Sequence, residues 1–142
     1  MYTLLRNTAR LLSSPGLLKD YSLYQASRLC QGRAVRTLHE EIEVTGFSGF
    51  SEYHSTGDQV SRREHAFLTS RSLPEGSVLD VGANLGVVSL ILAGRASDRS
   101  VHAFEPHPST VQALKKNVAL NKAHNVTVHE AAVGSEETTM LF

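Results

Sequence analysis

Apolar positions recur at helical spacing near the start of the chain and alternate briefly in its middle. In its second half they gather into short blocks separated by glycine and proline. Leu4, Thr8 and Leu11, with Leu5 and Leu12, predict a first helix, which Ser13-Ser14-Pro15-Gly16 breaks. Ser14 suits the N-cap of a second helix with Pro15 at its first position, and Leu17, Leu18, Tyr21, Tyr24 and Leu29 continue one apolar face. Residues 1–40 therefore read as a helical arm. Ile42 and Val44 alternate with Glu41 and Glu43, a short strand, and Gly46 and Gly49 then punctuate Phe47 and Phe50 in a turn-rich stretch. Ser61 to Leu73 predicts a helix with Ala66, Phe67 and Leu68 on its buried side and Ser61 and Glu64 placed as a capping box. Residues 41–76 form a lead-in that Leu73-Pro74-Glu75-Gly76 ends.

The signal sharpens over residues 77–142. Val78-Leu79-Asp80-Val81 predicts a strand, Gly82-Ala83-Asn84-Leu85-Gly86 a small-residue turn, and Val87 to Ala93 a buried helix stopped by Gly94. Val101 to Glu105 is a second strand halted by Pro106 and Pro108. Ser109 to Asn121 is an amphipathic helix with Val111, Leu114 and Val118 inside and Lys115 and Lys116 outside. Val126 to Ala132 is a third strand ending near Gly134, and Thr138 to Phe142 begins something extended. This alternation is the unit of a doubly wound, mainly parallel α/β sheet.

Composition narrows the field. The 142 residues carry 14 Lys and Arg against 14 Asp and Glu, with 41% hydrophobic and 20% charged positions, as in a single globular domain. The balanced charge removes the electrostatic case for a general nucleic-acid binder, so no such partner is expected. Cys30 is the lone cysteine and excludes an intrachain disulfide. Arg6 and Arg10 interrupt the early leucines, so no secretory signal is expected, and a cytoplasmic location is the expectation. Residues 1–36 are nevertheless basic, with Asp20 their sole acid. That pattern also fits a transit segment or a helix on a membrane surface, beside the favoured reading of an arm packed on its own domain.

In doubly wound sheets the ligand sits beyond the carboxyl ends of the strands, where the first turn enters the first helix. Gly82 and Gly86 allow a tight turn and close approach there, but Asn84 stands where a dinucleotide fingerprint would place its middle glycine. Asp80 decides between ligands. Its carboxylate repels a pyrophosphate by roughly 4 kcal/mol at about 4 Å and an effective dielectric of about 20. It attracts the ammonium and sulfonium of S-adenosylmethionine, which carries no phosphate. Glu105, closing the second strand, can accept hydrogen bonds from ribose hydroxyls. Pro106 offers a flat surface to an adenine ring, and Glu130, Ala131 and Ala132 end the third strand where an adenine edge could be read.

Val78 to Gly86, Phe104-Glu105-Pro106-His107-Pro108, Leu114 to Asn121 and Ala131-Ala132-Val133-Gly134 together resemble the FkbM-type methyltransferases. Gly46 to Leu68 resembles the family's lead-in more loosely, and His107 stands where the family often has asparagine. The resemblance implies a class I, S-adenosylmethionine-dependent enzyme, preceded here by a helical arm, that methylates hydroxyl groups on sugars or small metabolites. It implies that Asp80, Gly82, Asn84 and Gly86 line the methionine side and that Glu105 holds the ribose; Ala83, within the same turn, is a further candidate cofactor-binding residue. The family's later strand, with its Lys-x-Asp-x-Glu-Gly type motif, would lie past Phe142. The chain is therefore expected to carry the cofactor-binding half of the fold, to bind cofactor weakly alone, and to leave its first strand at an open edge.

No catalytic residue is assigned. His54, His65, Glu64 and His107 are candidate bases by residue type only, and Tyr53 and His54 are the best candidates for lining the cofactor pocket. His102, His107, His124 and His129 lack metal-binding spacing, so no metal is expected. The sequon Asn125-Val126-Thr127 opens a predicted buried strand and reads as chance. A nicotinamide-dependent oxidoreductase and a non-catalytic fragment are the competing readings.

Overall fold

The computed structural model describes residues 14–31, 33–38, 41–56, 65–70, 72–73, 75–136 and 138–139. The helix expected before Ser13 and the capping box of Ser61 and Glu64 lie outside the described residues. Helix α1 (Pro15–Gln31) leads into the antiparallel pair β1 (Val35–Thr37) and β2 (Glu43–Thr45), followed by the short helices α2 (Phe50–Ser55) and α3 (His65–Thr69). Then come β3 (Val78–Val81), α4 (Val87–Arg95), β4 (Val101–Phe104), α5 (Pro108–Leu120) and β5 (Val126–His129). Strands β3, β4 and β5 pair in parallel in that spatial order, the expected βαβαβ unit of an α/β Rossmann-like fold.

One face of this sheet is covered by α4 and α5. Val101 and Ala103 of β4 are fully buried there, against Leu92 and Ala93 of α4 and Leu114 of α5. The other face is open: Leu79 is 64% and Val81 59% exposed, beside Phe104, whose ring stacks on His129 at 4.5 Å. Among the described residues β3 pairs with β4 alone and is an edge strand, as expected. No described helix is long and apolar enough to cross a membrane.

Helix α5 is tied to β2 by side chains that take the place of a neighbouring strand. The Asn117 amide is fully buried; its Oδ1 accepts from the Thr45 N–H (2.9 Å) and its Nδ2 donates to the carbonyls of Thr45 (3.0 Å) and Leu85 (2.8 Å). One turn on, Asn121 accepts from the Glu43 N–H (2.8 Å) and donates to the Glu43 carbonyl (2.7 Å). Alternate residues of β2 thus find both backbone partners on one helix, which an edge strand needs when it is covered. Asn125 donates to the carbonyls of Ala93, Ala96 and Arg99 at the end of α4.

The N-terminal elements are held by a charged cluster and an aromatic one. Arg36 donates through both terminal nitrogens to Asp20 Oδ2 at 3.1 Å, and His54 Nδ1 lies 2.7 Å from the same oxygen. The Arg36 guanidinium covers the Tyr53 ring at 4.8 Å, and Tyr24 and Phe47 each meet that ring at 5.2 Å.

Several expectations are corrected. Residues 35–37 form a strand rather than continuing the helical arm, because Val35 is buried while Arg36 turns to Asp20. Helix α1 packs through Tyr21, Tyr24 and Asp20, and Leu29 is 86% exposed. Phe50–Ser55 is helical rather than turn-rich: Glu52, in its first turn, accepts from the Ser48 N–H and hydroxyl, a variant of the capping box. Phe67 is 59% exposed, and Leu68 is the residue of α3 that packs on the core. Gly94 lies inside α4, whose end is set by Ala96 and the carbonyls that Asn125 collects. Strand β5 stops at His129, short of Ala132.

Replacing Asn117 with Ala strands two carbonyls and one N–H in the core. The expected cost is at least about 3 kcal/mol, at about 1–3 kcal/mol for each orphaned group, read from urea unfolding; the half-buried Asn121→Ala costs less. Burial pushes the Tyr53 phenol above its ordinary value; Arg36 opposes the rise and Asp20 adds to it. The folded state therefore favours the neutral phenol. Its contribution is full below about pH 10, the unfolded value, and is lost as pH rises through the folded one. Tyr53→Phe should remove that alkaline loss, seen as a flatter urea midpoint between about pH 9 and 11.

Candidate functional site

The turn from β3 to α4 is shaped by three left-handed residues at alternate positions: Gly82 (φ 83°), Asn84 (φ 48°) and Gly86 (φ 89°). The N–H groups of Gly82 and Ala83 both donate to the Phe104 carbonyl at 2.9 Å, so the turn folds back over the end of β4. The two glycines serve different needs. A Cβ on Gly82 would meet no atom within 4 Å, leaving an open ledge, whereas one on Gly86 would collide with Cδ1 of the fully buried Leu114. Gly82 keeps space for a visitor, and Gly86 lets α4 and α5 close on each other.

Glu105 clasps the turn to the next element. It is 9% exposed; Oε2 accepts from the Asn84 N–H at 3.1 Å and Oε1 from the His107 N–H at 3.0 Å, at the start of α5. Each oxygen keeps a second lone pair. Asp80 lies under the first turn of α4, where its Oδ2 accepts from the hydroxyl of fully buried Ser89 at 2.5 Å. Its Oδ1 takes no partner among the described residues. Pro106 is half-buried beside Glu105, and Glu130 is exposed, with a loose contact to Lys115 Nζ at 4.0 Å. Ala131 and Ala132 are exposed.

Register brings these residues together. Val81, Phe104 and His129 pair across the sheet, so Gly82, Glu105 and Glu130 follow three adjacent strands at one level. The carboxyl edge of the sheet thus carries Asp80, Glu105 and Glu130 around an open glycine, which suits a cationic ligand with hydroxyl donors and opposes a phosphate. No group of three His, Cys, Asp or Glu among the described residues is placed to hold a metal ion.

The structure separates the other candidates from this edge. Tyr53 is 3% exposed within the aromatic cluster and lines a hollow between α1 and β1, and His54 is bound to Asp20, so these two do not line the turn. They are drawn to α1 because Asp20 is an acid facing Arg36 and His54 across that helix. His107 is exposed with Nδ1 2.9 Å from Ser109 Oγ, while Glu64 and the His65 side chain lie outside the described residues. Two residues that shape the site escaped the sequence reading. Ser89 is the polar position in the apolar run Leu85–Ala93, and Asn117 falls on the apolar face of Leu114 and Val118; a polar residue on a buried face was the signal for both.

Residues 58–141 match the family described as Methyltransferase small domain. A curated relative, Methyltransferase 1 of Beauveria bassiana (strain ARSEF 2860), is 27% identical over 63 residues, 44% of this chain and 25% of that protein. Among solved structures, P. horikoshii TYW2 in complex with MeSAdo aligns with a TM-score of 0.53 at 21% identity, covering 70% of this chain and 36% of that one. A putative transferase, PH0793 from Pyrococcus horikoshii, aligns at 0.52 with the same identity and coverage. These alignments establish the shared fold. The chain spans a quarter of the curated relative and little more than a third of either structure.

The two glycines should respond differently to Ala. Gly82→Ala carries left-handed strain alone, about 1–2 kcal/mol. Gly86→Ala adds the collision with Leu114 and should cost about 3 kcal/mol or more, both read from urea unfolding.

Proposed function

Because the chain belongs to the Methyltransferase small domain family, we propose that the edge formed by Asp80, Gly82, Ala83, Asn84, Gly86, Glu105, Pro106, Glu130 and Ala131 is the S-adenosylmethionine site of a methyltransferase. In this reading residues 77–142 are the cofactor-binding portion, residues 41–76 its lead-in and residues 1–40 an appended arm. The observation that carries it is the row of carboxylates at three adjacent strand ends around Gly82, which has no neighbour within 4 Å of a Cβ. A nucleoside with a cationic tail complements that row, and a pyrophosphate does not.

On this reading the roles divide among the residues of the edge. Asp80 Oδ1 faces the positive end of the cofactor, and Ser89 fixes the carboxylate through its other oxygen. Glu105, held by the Asn84 and His107 N–H groups, offers its remaining lone pairs to the ribose hydroxyls. Pro106 and Ala131 flank the adenine, and Glu130 reads its edge. The cofactor, when bound, supplies an electrophilic methyl on sulfur. The chain's part is orientation, placing that methyl in line with an acceptor oxygen. The acceptor we propose is a hydroxyl of a sugar or small metabolite, as the FkbM-type resemblance implies; the activity of the whole protein belongs to this proposal.

Calorimetric titration tests it. S-adenosylhomocysteine should bind in preference to NADH, and a preference for NADH would overturn the assignment. Asp80→Asn should weaken S-adenosylmethionine by about tenfold, the loss of one charge-assisted contact, while changing adenosine by less than about twofold. Equal losses would remove Asp80 from the cationic end.

A further inference from the structure

A hollow of about 580 Å³ opens between the C-terminal part of α1, the end of β2 and the first turns of α5. Arg28, Arg33 and Lys116 line it together with Tyr24, Phe47 and Ser109, and no acidic side chain does. In a chain whose charges cancel, three cations around one concavity with no acid among them is a local excess. None of the three is in an ion pair among the described residues; Arg28 rests over the Tyr24 ring at 5.6 Å. The nearby Glu52 is occupied in capping α2 through the Ser48 N–H and hydroxyl.

The hollow adjoins the carboxylate edge. Ser109 on its rim is 2.9 Å from the His107 ring, and the His107 N–H donates to Glu105. The first turn of α5 thus lies between the hollow and the ledge. The volume is that of a small-molecule site, about 300–1,000 Å³. Three uncompensated cations match a phosphate, which carries about −1.5 to −2 charges at neutral pH. A polyanion is disfavoured, because a phosphate chain continuing past Ser109 would run onto Glu105, Asp80 and Glu130.

We propose that this hollow binds the phosphate of a small phosphorylated acceptor whose hydroxyl extends to the cofactor edge. The proposal rests on the methyltransferase reading above and names its substrate class. The tyrosine and phenylalanine walls supply an apolar flank, and the basic rim supplies the anchor.

The test is a titration of the ¹⁵N-labelled 142-residue chain with glucose 6-phosphate at fixed ionic strength, with glucose and sodium sulfate as controls. Saturable shifts are expected at Ser48, Ser109, Gln112 and the Arg33 side chain, with glucose silent and sulfate weaker. Arg33→Glu and Lys116→Glu, both exposed positions, should each weaken glucose 6-phosphate at least about tenfold and leave S-adenosylhomocysteine binding within about twofold. Shifts that do not saturate, that survive both charge reversals, or that sulfate reproduces in full would overturn the proposal. So would a single-stranded oligothymidylate that binds tighter than the sugar phosphate with shifts spread across the surface. Glucose 6-phosphate binding in the hollow without S-adenosylhomocysteine binding at the edge would overturn its assignment to an acceptor. S-adenosylhomocysteine binding with a silent hollow would remove the hollow alone.

Discussion

The buried amide of Asn117 joins the three parts of the molecule on which the site depends. It closes the exposed side of β2, it anchors α5, and through the Leu85 carbonyl it holds the turn that enters α4. A buried amide is tolerable only when its donors and acceptor are all satisfied, and here each is matched by backbone. The lead-in hairpin and the parallel sheet are consequently parts of one core: Val44 of β2 packs with Leu85, Leu90, Ile91 and Ala113.

The same economy governs the carboxylates. Glu105 and Asp80 each use part of their hydrogen-bonding capacity to shape the chain and leave part without a partner among the described residues. Glu105 fixes the ledge by gripping amides on both sides of it, so its orientation is set before any ligand arrives. Asp80 is aimed by a serine that is itself fully buried. An edge prepared in this way does not need to reorganise its charges to receive a cationic ligand. The basic side chains of the neighbouring hollow, Arg28, Arg33 and Lys116, are exposed, so positive charge gathers beside α5 while negative charge gathers at the strand ends.

Much of the sheet was legible because its strands are short apolar blocks bounded by glycine and proline: Val78–Val81, Val101–Phe104 and Val126–His129 lie where periodicity places them. The glycine turn and the carboxylates at the strand ends were legible for the same reason, since strand ends fix their level. The N-terminal third was not. Val35–Thr37 is a three-residue strand stabilised by Asp20 and by Thr45, whose hydroxyl donates to the Ala34 carbonyl, and neither partner is a neighbour in sequence. Phe50–Ser55 is helical because Glu52 reaches back to Ser48, a signal hidden by flanking glycine and aromatic residues. Tyr53 and His54 were drawn toward the wrong partner because residue type says nothing of the acid on α1 that holds them.

Asn117 and Asn121 act on β2 only because they stand four residues apart on one helical face. Inserting one residue between them would swing the second amide by about 100° around the axis, leaving the sequence rich in asparagine and the strand without its partner. What descent must preserve in this helix is therefore phase rather than composition. Length changes should be purged from the stretch between these two positions, while the exposed residues 133–136, past the strand ends, can absorb them.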